Sequence, residues 1–158
     1  MSLTVLTGPP QNSLTDEKWV KDFLSLGGER IICGGTTAAI AGRYLKQDVE
    51  ISLEGPSTGL PPLGFLGTIP VTEGIITLEG VVTLLSGKAG EPLVPIEKIL
   101  ESVQILPDES GAKTLAEALL NHDEVIFLLG IGRKREELVM KLESQLKALG
   151  KRTVIRKK

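Results

Sequence analysis

The residues best suited to chemistry form one short run, Ile31-Ile32-Cys33-Gly34-Gly35-Thr36-Thr37-Ala38-Ala39. This pattern is typical of a strand, a diglycine turn and the start of a hydroxyl-rich helix. Glycines let a ligand approach the backbone closely, and the free N–H groups of a helix start favour an anion. Thr36 and Thr37 add hydroxyl donors, so the pattern predicts a site for phosphate or carboxylate. The alternative is that Gly34 and Gly35 only permit a tight turn and that a threonine caps the helix.

The same turn does not match either common nucleotide-binding fingerprint. A Walker A loop needs Gly-Lys-Ser/Thr after four spacer residues, and the dinucleotide fingerprint needs Gly-x-Gly-x-x-Gly. Cys33, where the strand ends, could be a thiolate if the helix start lowered its pKa. The interpretation that we favour is a buried and unreactive thiol.

Three further segments are predicted to end near this turn. Val71-Thr72-Glu73-Gly74 carries a carboxylate that could bind a ligand hydroxyl, act as a base, or only stabilise a helix start. Gly130-Ile131-Gly132-Arg133-Lys134 is a second strand-to-helix turn, and its Arg133 could pair with a phosphate or only be solvated. Gly8 follows the first strand. The predicted ligand-binding residues are therefore Gly8, Cys33, Gly34, Gly35, Thr36, Thr37, Thr72, Glu73, Gly74, Gly130 and Arg133.

The composition excludes several classes of protein. The chain has 158 residues with 18 Lys and Arg against 20 Asp and Glu, a net charge of -2 that disfavours nucleic-acid binding. One Cys and one His cannot form a disulfide or a structural Cys/His zinc site, and no metal or cofactor follows from the sequence. The apolar runs, such as 125–129, are far shorter than the ~20 residues that span a membrane. We expect a cytoplasmic location.

The elements that must position these residues alternate between strands and helices. This alternation predicts one α/β domain over 4–156, with a mostly parallel sheet of about five strands and helices on both faces, a Rossmann-like three-layer fold. Met1 to Leu3 could be a cloning remnant, although Leu3 also suits the first strand. The glycine- and proline-rich segment 54–71 is expected to be largely irregular. The predicted strands are 4–7, 30–33, 49–53, 124–129 and 153–155.

The predicted helices rest on capping residues and on apolar spacing. Ser13 or Thr15 is expected to cap the first helix, Pro95 to begin another and Ser110 to cap a third. In the helix after Pro95, the residues predicted to face inward are Ile96, Ile99, Leu100 and Val103. His122 is expected to serve as a C-cap, and the basic residues of 147–158 either to suit the last helix dipole or to meet an acidic partner.

The order of these motifs resembles the region after the catalytic domain of stage II sporulation protein E family phosphatases, which are metal-dependent and of the protein phosphatase 2C type. The resemblance covers almost the whole chain. It rests on Val5-Leu6-Thr7-Gly8-Pro9-Pro10, Cys33-Gly34-Gly35-Thr36-Thr37-Ala38, Arg43 with Leu45, Pro61-Pro62, Val71-Thr72-Glu73-Gly74, Thr77-Leu78 and Leu129-Gly130. The chain departs from the family after Gly132, where relatives carry a longer insertion.

The resemblance implies a regulatory accessory domain without the phosphatase active site. The parent chemistry uses aspartates, typically an Asp-Gly pair, to hold two metals, and this chain contains no Asp-Gly dipeptide. We expect a non-catalytic domain that senses a small anionic ligand, with an attached or associated phosphatase domain as its partner. The alternatives are a small enzyme for a phosphorylated metabolite, with Glu73 as base, or a module that docks another protein or a copy of itself as a homodimer.

Overall fold

The computed structural model describes residues 2–10, 14, 16–51, 63–86, 95–108 and 110–157. Its strands are β1 (Ser2–Thr7), β2 (Glu29–Cys33), β3 (Glu50–Ile51), β4 (Gly64–Leu66), β5 (Ile69–Thr72), β6 (Glu124–Leu129) and β7 (Arg152–Lys157). Its helices are α1 (Asp16–Ser25), α2 (Gly35–Leu45), α3 (Ile75–Ser86), α4 (Ile96–Gln104), α5 (Gly111–Asn121) and α6 (Arg133–Ala148).

Within these residues the strands form one sheet in the order β3-β4-β5-β2-β1-β6-β7. The five strands from β5 to β7 in this order are parallel, while β4 is antiparallel to both β3 and β5. The chain moves outward from β1 in one direction to β2 and β5, and later in the other direction to β6 and β7. The order therefore reverses beside β1, and ligands of open α/β sheets bind at such a point.

Helices cover both faces of the sheet, which confirms the predicted α/β, Rossmann-like architecture. Alternate residues of each parallel strand enter two separate apolar cores, as the two-residue period of a strand requires. Val5 and Phe127 pack with α3, α4, α5 and α6, whereas Leu6 and Leu128 pack with α1 and α2. Among the described residues, no helix is both long and apolar enough to cross a membrane.

The segment predicted to be irregular contains two strands, so that prediction is wrong for residues 64–66 and 69–71. The strands β4 and β5 form a hairpin whose turn includes Gly67, at a φ of 61°. Pro70 is tolerated because it lies before the two residues of β5 that pair with β2. The described part of the predicted strand 49–53 contains the short edge strand β3, at Glu50–Ile51. The third parallel strand along the chain is β5, which the sequence analysis did not predict.

Two other boundaries differ from the predictions. β1 begins at Ser2, and Leu3 is fully buried, so the ordered sheet includes residues before the predicted start at residue 4. In α4, Ile99 and Val103 face inward as predicted, but Ile96 and Leu100 are 40% and 41% exposed. The prediction was wrong for that pair, because α4 contacts α3 and α5 through the side that carries Ile99 and Val103.

The structure confirms one of the N-capping residues that were predicted from the sequence. Ser110 caps α5 as predicted, because its hydroxyl accepts a hydrogen bond from the Lys113 N–H at 3.3 Å. The other two predicted capping residues, Ser13 and Thr15, lie outside the described residues.

Candidate functional site

The turns after β1, β2, β5 and β6 meet at the carboxyl end of the sheet and are joined by hydrogen bonds. The Gly8 N–H donates to Thr37 Oγ1 at 2.9 Å, which ties the first turn to α2. The Gly34 N–H donates to the Thr72 carbonyl at 2.8 Å, and the Gly130 N–H donates to the last carbonyl of β1 at 2.8 Å. The structure thus brings together the glycine turns that the sequence identifies separately.

The Arg135 side chain lies in the centre of these turns. Its Nε donates to Thr7 Oγ1 at 3.1 Å, and its Nη1 donates to the Ile131 carbonyl at 3.1 Å. A Cβ added at Gly74 would lie 3.1 Å from Nη2, and one added at Gly8 would lie 2.9 Å from Cδ. The missing side chains of these glycines therefore make room for the arginine.

The cation at this position is not Arg133, the residue that the sequence analysis named. The Arg133 side chain is 96% exposed and pairs with Glu137 at 3.8 Å. Arg135 is the third residue of α6, and helical side chains lean back toward the N-terminus, so this position reaches over the Gly132 turn. A cation at the third position of the helix after Gly132 is the sequence signal that could have identified Arg135.

Beside the arginine, a cavity of about 790 Å³ opens between α2 and the β4–β5 hairpin. Its volume falls within the range of roughly 300 to 1,000 Å³ that is usual for small-molecule sites. Small residues of α2 form one wall and apolar strand and loop residues form the other. We call this space the α2 cavity, and its main wall residues are Gly35, Ala38, Ala39, Gly42, Val49 and Val71. Thr72 and Glu73 of the predicted site also line it.

The α2 cavity begins at the N-terminus of α2, where the first backbone N–H groups have no acceptor among the described residues. Gly34 at the N-cap provides no side chain to accept them, and its φ of 130° favours glycine. The first intrahelical bond is from the Ala38 N–H to the Gly34 carbonyl at 2.9 Å. The N–H groups of Gly35 and Thr36 precede that bond, so they carry the partial positive charge of the helix dipole. Gly35 has open space on its side-chain side, because an added Cβ would meet no atom within 4 Å.

Glu73 caps the neighbouring helix with both of its carboxylate oxygens. Oε1 accepts from the Ile75 N–H at 3.1 Å, while Oε2 accepts from the Ile76 and Thr77 N–H groups at 2.8 and 3.2 Å. Use of Glu73 as a base would compete with these bonds. The start of α3 is therefore already occupied by a carboxylate from the chain itself, in contrast to the start of α2.

Cys33 lies beneath the turns and is fully buried. Burial raises the pKa of its thiol to about 12, and a hydrogen bond from Thr72 and the charge of Arg135 offset that rise only in part. The thiol is therefore protonated at neutral pH, in agreement with the unreactive interpretation. Of the two threonines in the turn, Thr37 is buried and bonded to Gly8, whereas Thr36 is exposed.

Comparison with known proteins does not identify a family. No family model, curated protein or solved structure matches this chain. What the chain binds must therefore be inferred from its own geometry. In the described ranges, no group of three or more His, Cys, Asp and Glu residues could hold a metal ion.

Two candidates from the sequence lie away from the α2 cavity. His122 caps α5 at the amino end of the sheet, where its Nδ1 donates to the Ala118 carbonyl at 2.6 Å.

Several basic residues near the C-terminus are engaged within the domain. Lys147 pairs with Glu143, Arg152 with Glu124 and Lys157 with Glu136, at 3.6, 3.6 and 2.8 Å. These pairs leave less positive charge for an acidic partner than the sequence suggests.

Proposed function

We propose that this chain is a non-catalytic sensing domain that binds a small anionic ligand in the α2 cavity, beside the Gly34-Gly35-Thr36-Thr37 turn. The observation that carries the proposal is the cavity itself, which opens at an uncapped helix start. A phosphate or carboxylate placed there can accept hydrogen bonds from the Gly35 and Thr36 N–H groups.

The charges around the turn favour an anion over a neutral ligand. The α2 dipole directs its positive end toward the cavity, and the Arg135 guanidinium lies behind the turn, with Nη2 3.7 Å from where a Gly34 Cβ would be. Glu73, a carboxylate that lines the cavity, is directed at the start of α3 and is bonded to three N–H groups. The free donors at the start of α2 thus remain for an external group.

The proposed setting is regulation of a bacterial phosphatase in the cytoplasm. Its support is the resemblance to the region that follows the catalytic domain in stage II sporulation protein E family enzymes. In this setting, occupancy of the α2 cavity changes how the domain contacts an attached or associated phosphatase domain. In this proposed regulation, the role of the chain is to recognise the ligand.

A leucine at position 35 tests the proposal directly. Gly35→Leu places a side chain in the open space of the cavity, and its backbone does not need a left-handed conformation. We expect wild-type protein titrated with inorganic phosphate, nucleotides and sugar phosphates to show NMR shifts at the Gly35 to Thr37 amides. Gly35→Leu should lose this binding and keep the native spectrum elsewhere.

Gly35→Ala is the matched control, because a methyl group leaves most of the cavity open. It should retain binding. Unchanged affinity in Gly35→Leu, or shifts located away from α2, would show that the ligand site lies elsewhere.

A further inference from the structure

The far end of the α2 cavity carries two cations without ion pairs. Arg43 and Lys46 both line the cavity and are exposed. In the part of the chain that the structure describes, neither forms a salt bridge, whereas the cations at the start and the end of α6, Lys134 and Lys147, both do. Asp48 is the only carboxylate among the described lining residues at that end. Among the described lining residues at that end, positive charge therefore exceeds negative charge.

The cations lie at a defined distance from the start of α2. Arg43 lies eight positions after Gly35, which at 1.5 Å per residue is about 12 Å along α2, and Lys46 directly follows the last residue of the helix. The wall between the two ends is apolar. It consists of Ala38 and Ala39 on the helix and of Val71 on the opposite side.

This arrangement favours a ligand that carries more than one anionic group. A monoanion at Gly35 would leave the apolar wall and both cations without a partner. We propose that the ligand is an elongated molecule with an acidic group at each end and an apolar body, one acid bound at Gly35 and Thr36 and the other at Arg43 and Lys46. This inference rests on the proposed function, which supplies the first of the two acid sites.

A second role for the cations is stabilisation of the C-terminus of α2, since Lys and Arg in a last turn suit the helix dipole. That role alters the stability of the helix and does not distinguish between ligands. Ligand selectivity is therefore the property that separates the two roles.

The experiment compares straight-chain dicarboxylates, from hexanedioate to tetradecanedioate, with monocarboxylates of the same lengths. Affinities are measured by NMR titration for the wild type and for Arg43→Gln/Lys46→Gln. In the wild type, we expect one range of chain lengths for which the diacid binds about tenfold more tightly than the matched monoacid, as for two exposed charge pairs. The double variant should lose this preference and keep its affinity for the monoacid.

Arg133→Gln is the matched control, because it removes an exposed cation outside the cavity. It should keep the full preference for diacids. Equal affinity of diacids and monoacids at every length would overturn the inference, as would a preference that survives in the double variant.

Inorganic phosphate separates this inference from the proposed function. If phosphate shifts the Gly35 to Thr37 amides but no diacid preference exists, the second acid site is wrong and the anion site stands. If neither phosphate nor any diacid perturbs α2, both proposals fail.

Discussion

Cys33 combines a polar group with complete burial, and this combination makes stability depend on pH in the alkaline range. The folded thiol has a pKa of about 12, while the ordinary value is 9.0. Between these values the unfolded chain loses its proton and the folded chain keeps it, so the folded state binds more protons. The free energy of unfolding must then fall as pH rises from about 9 toward about 12, and the stability is fully present below about 9.

We expect Cys33 to contribute a loss of about 1 kcal/mol by about pH 10, and more at higher pH. Urea unfolding of the wild type and Cys33→Ala at a series of pH values isolates this contribution, because other titrating groups are common to both proteins. The difference between the two proteins should shrink as pH rises. The native thiol should also resist thiol reagents near neutral pH, and rapid labelling would contradict its burial.

Arg135 and Arg133 offer a matched pair of cations two residues apart. Arg135 bonds to Thr7 and to the Ile131 carbonyl and fills the space between glycine turns, whereas Arg133 is almost fully exposed. We expect Arg135→Gln to lower the free energy of unfolding by about 1 to 3 kcal/mol, since charged hydrogen bonds and packed contacts are lost. Arg133→Gln should change it by less than about 0.5 kcal/mol. Chemical denaturation measures both, and equal effects would show that Arg135 does not organise the turns.

The helix α4 provides a similar test of which face is buried. Its apolar residues Ile99 and Leu100 are adjacent in sequence, but only Ile99 is fully buried. Ile99→Ala should cost about 2 to 5 kcal/mol because it leaves a cavity in the core. Leu100→Ala should cost less than about 1 kcal/mol, since 41% of that side chain is already exposed. Thermal or urea unfolding of the two variants gives the comparison, and a reversed order would place the other face of α4 against the core.

The elements differ in how clearly the sequence encodes them. The strand β6 was predicted with the bounds that the structure shows, because Val125 to Leu129 is a continuous apolar run between Glu124 and the Gly130 turn. The strands β4 and β5 were missed because they contain or adjoin Gly64, Gly67 and Pro70, which normally indicate a loop. Their pairing depends on contacts with β2 and β3, which local patterns do not report. Short edge strands are thus set by tertiary context more than by propensity.

In the whole molecule, the alternation of strands and helices was enough to predict the class of fold and the edge of the sheet where the turns meet. It did not give the strand order, since several orders satisfy the same alternation. It also did not give Arg135, whose role depends on glycine turns that come from distant parts of the chain. The α2 cavity has the same origin: α2 was visible in the sequence, but its opposite wall is the unpredicted hairpin.

Because the α2 cavity joins a helix to this hairpin, a ligand bound there should stabilise the folded chain as a whole. A ligand present at about 100 times its dissociation constant adds roughly 2.7 kcal/mol, which for a domain of this size raises the unfolding midpoint by roughly 5 to 11 °C. We expect this shift from at least one member of a panel of nucleotides, sugar phosphates, dicarboxylates and divalent metals, and no shift from the same compound with Gly35→Leu.

The pattern across the panel also separates the proposed functions. A shift that requires a phosphate or carboxylate supports anion sensing at α2, and a shift from metals alone would contradict it. If no compound shifts the wild type at concentrations up to those that saturate ordinary metabolite sites, binding of a small molecule is not what the cavity does. The remaining hypothesis would then be a docking module, and binding of the chain to a phosphatase catalytic domain of the proposed family would be the property to measure.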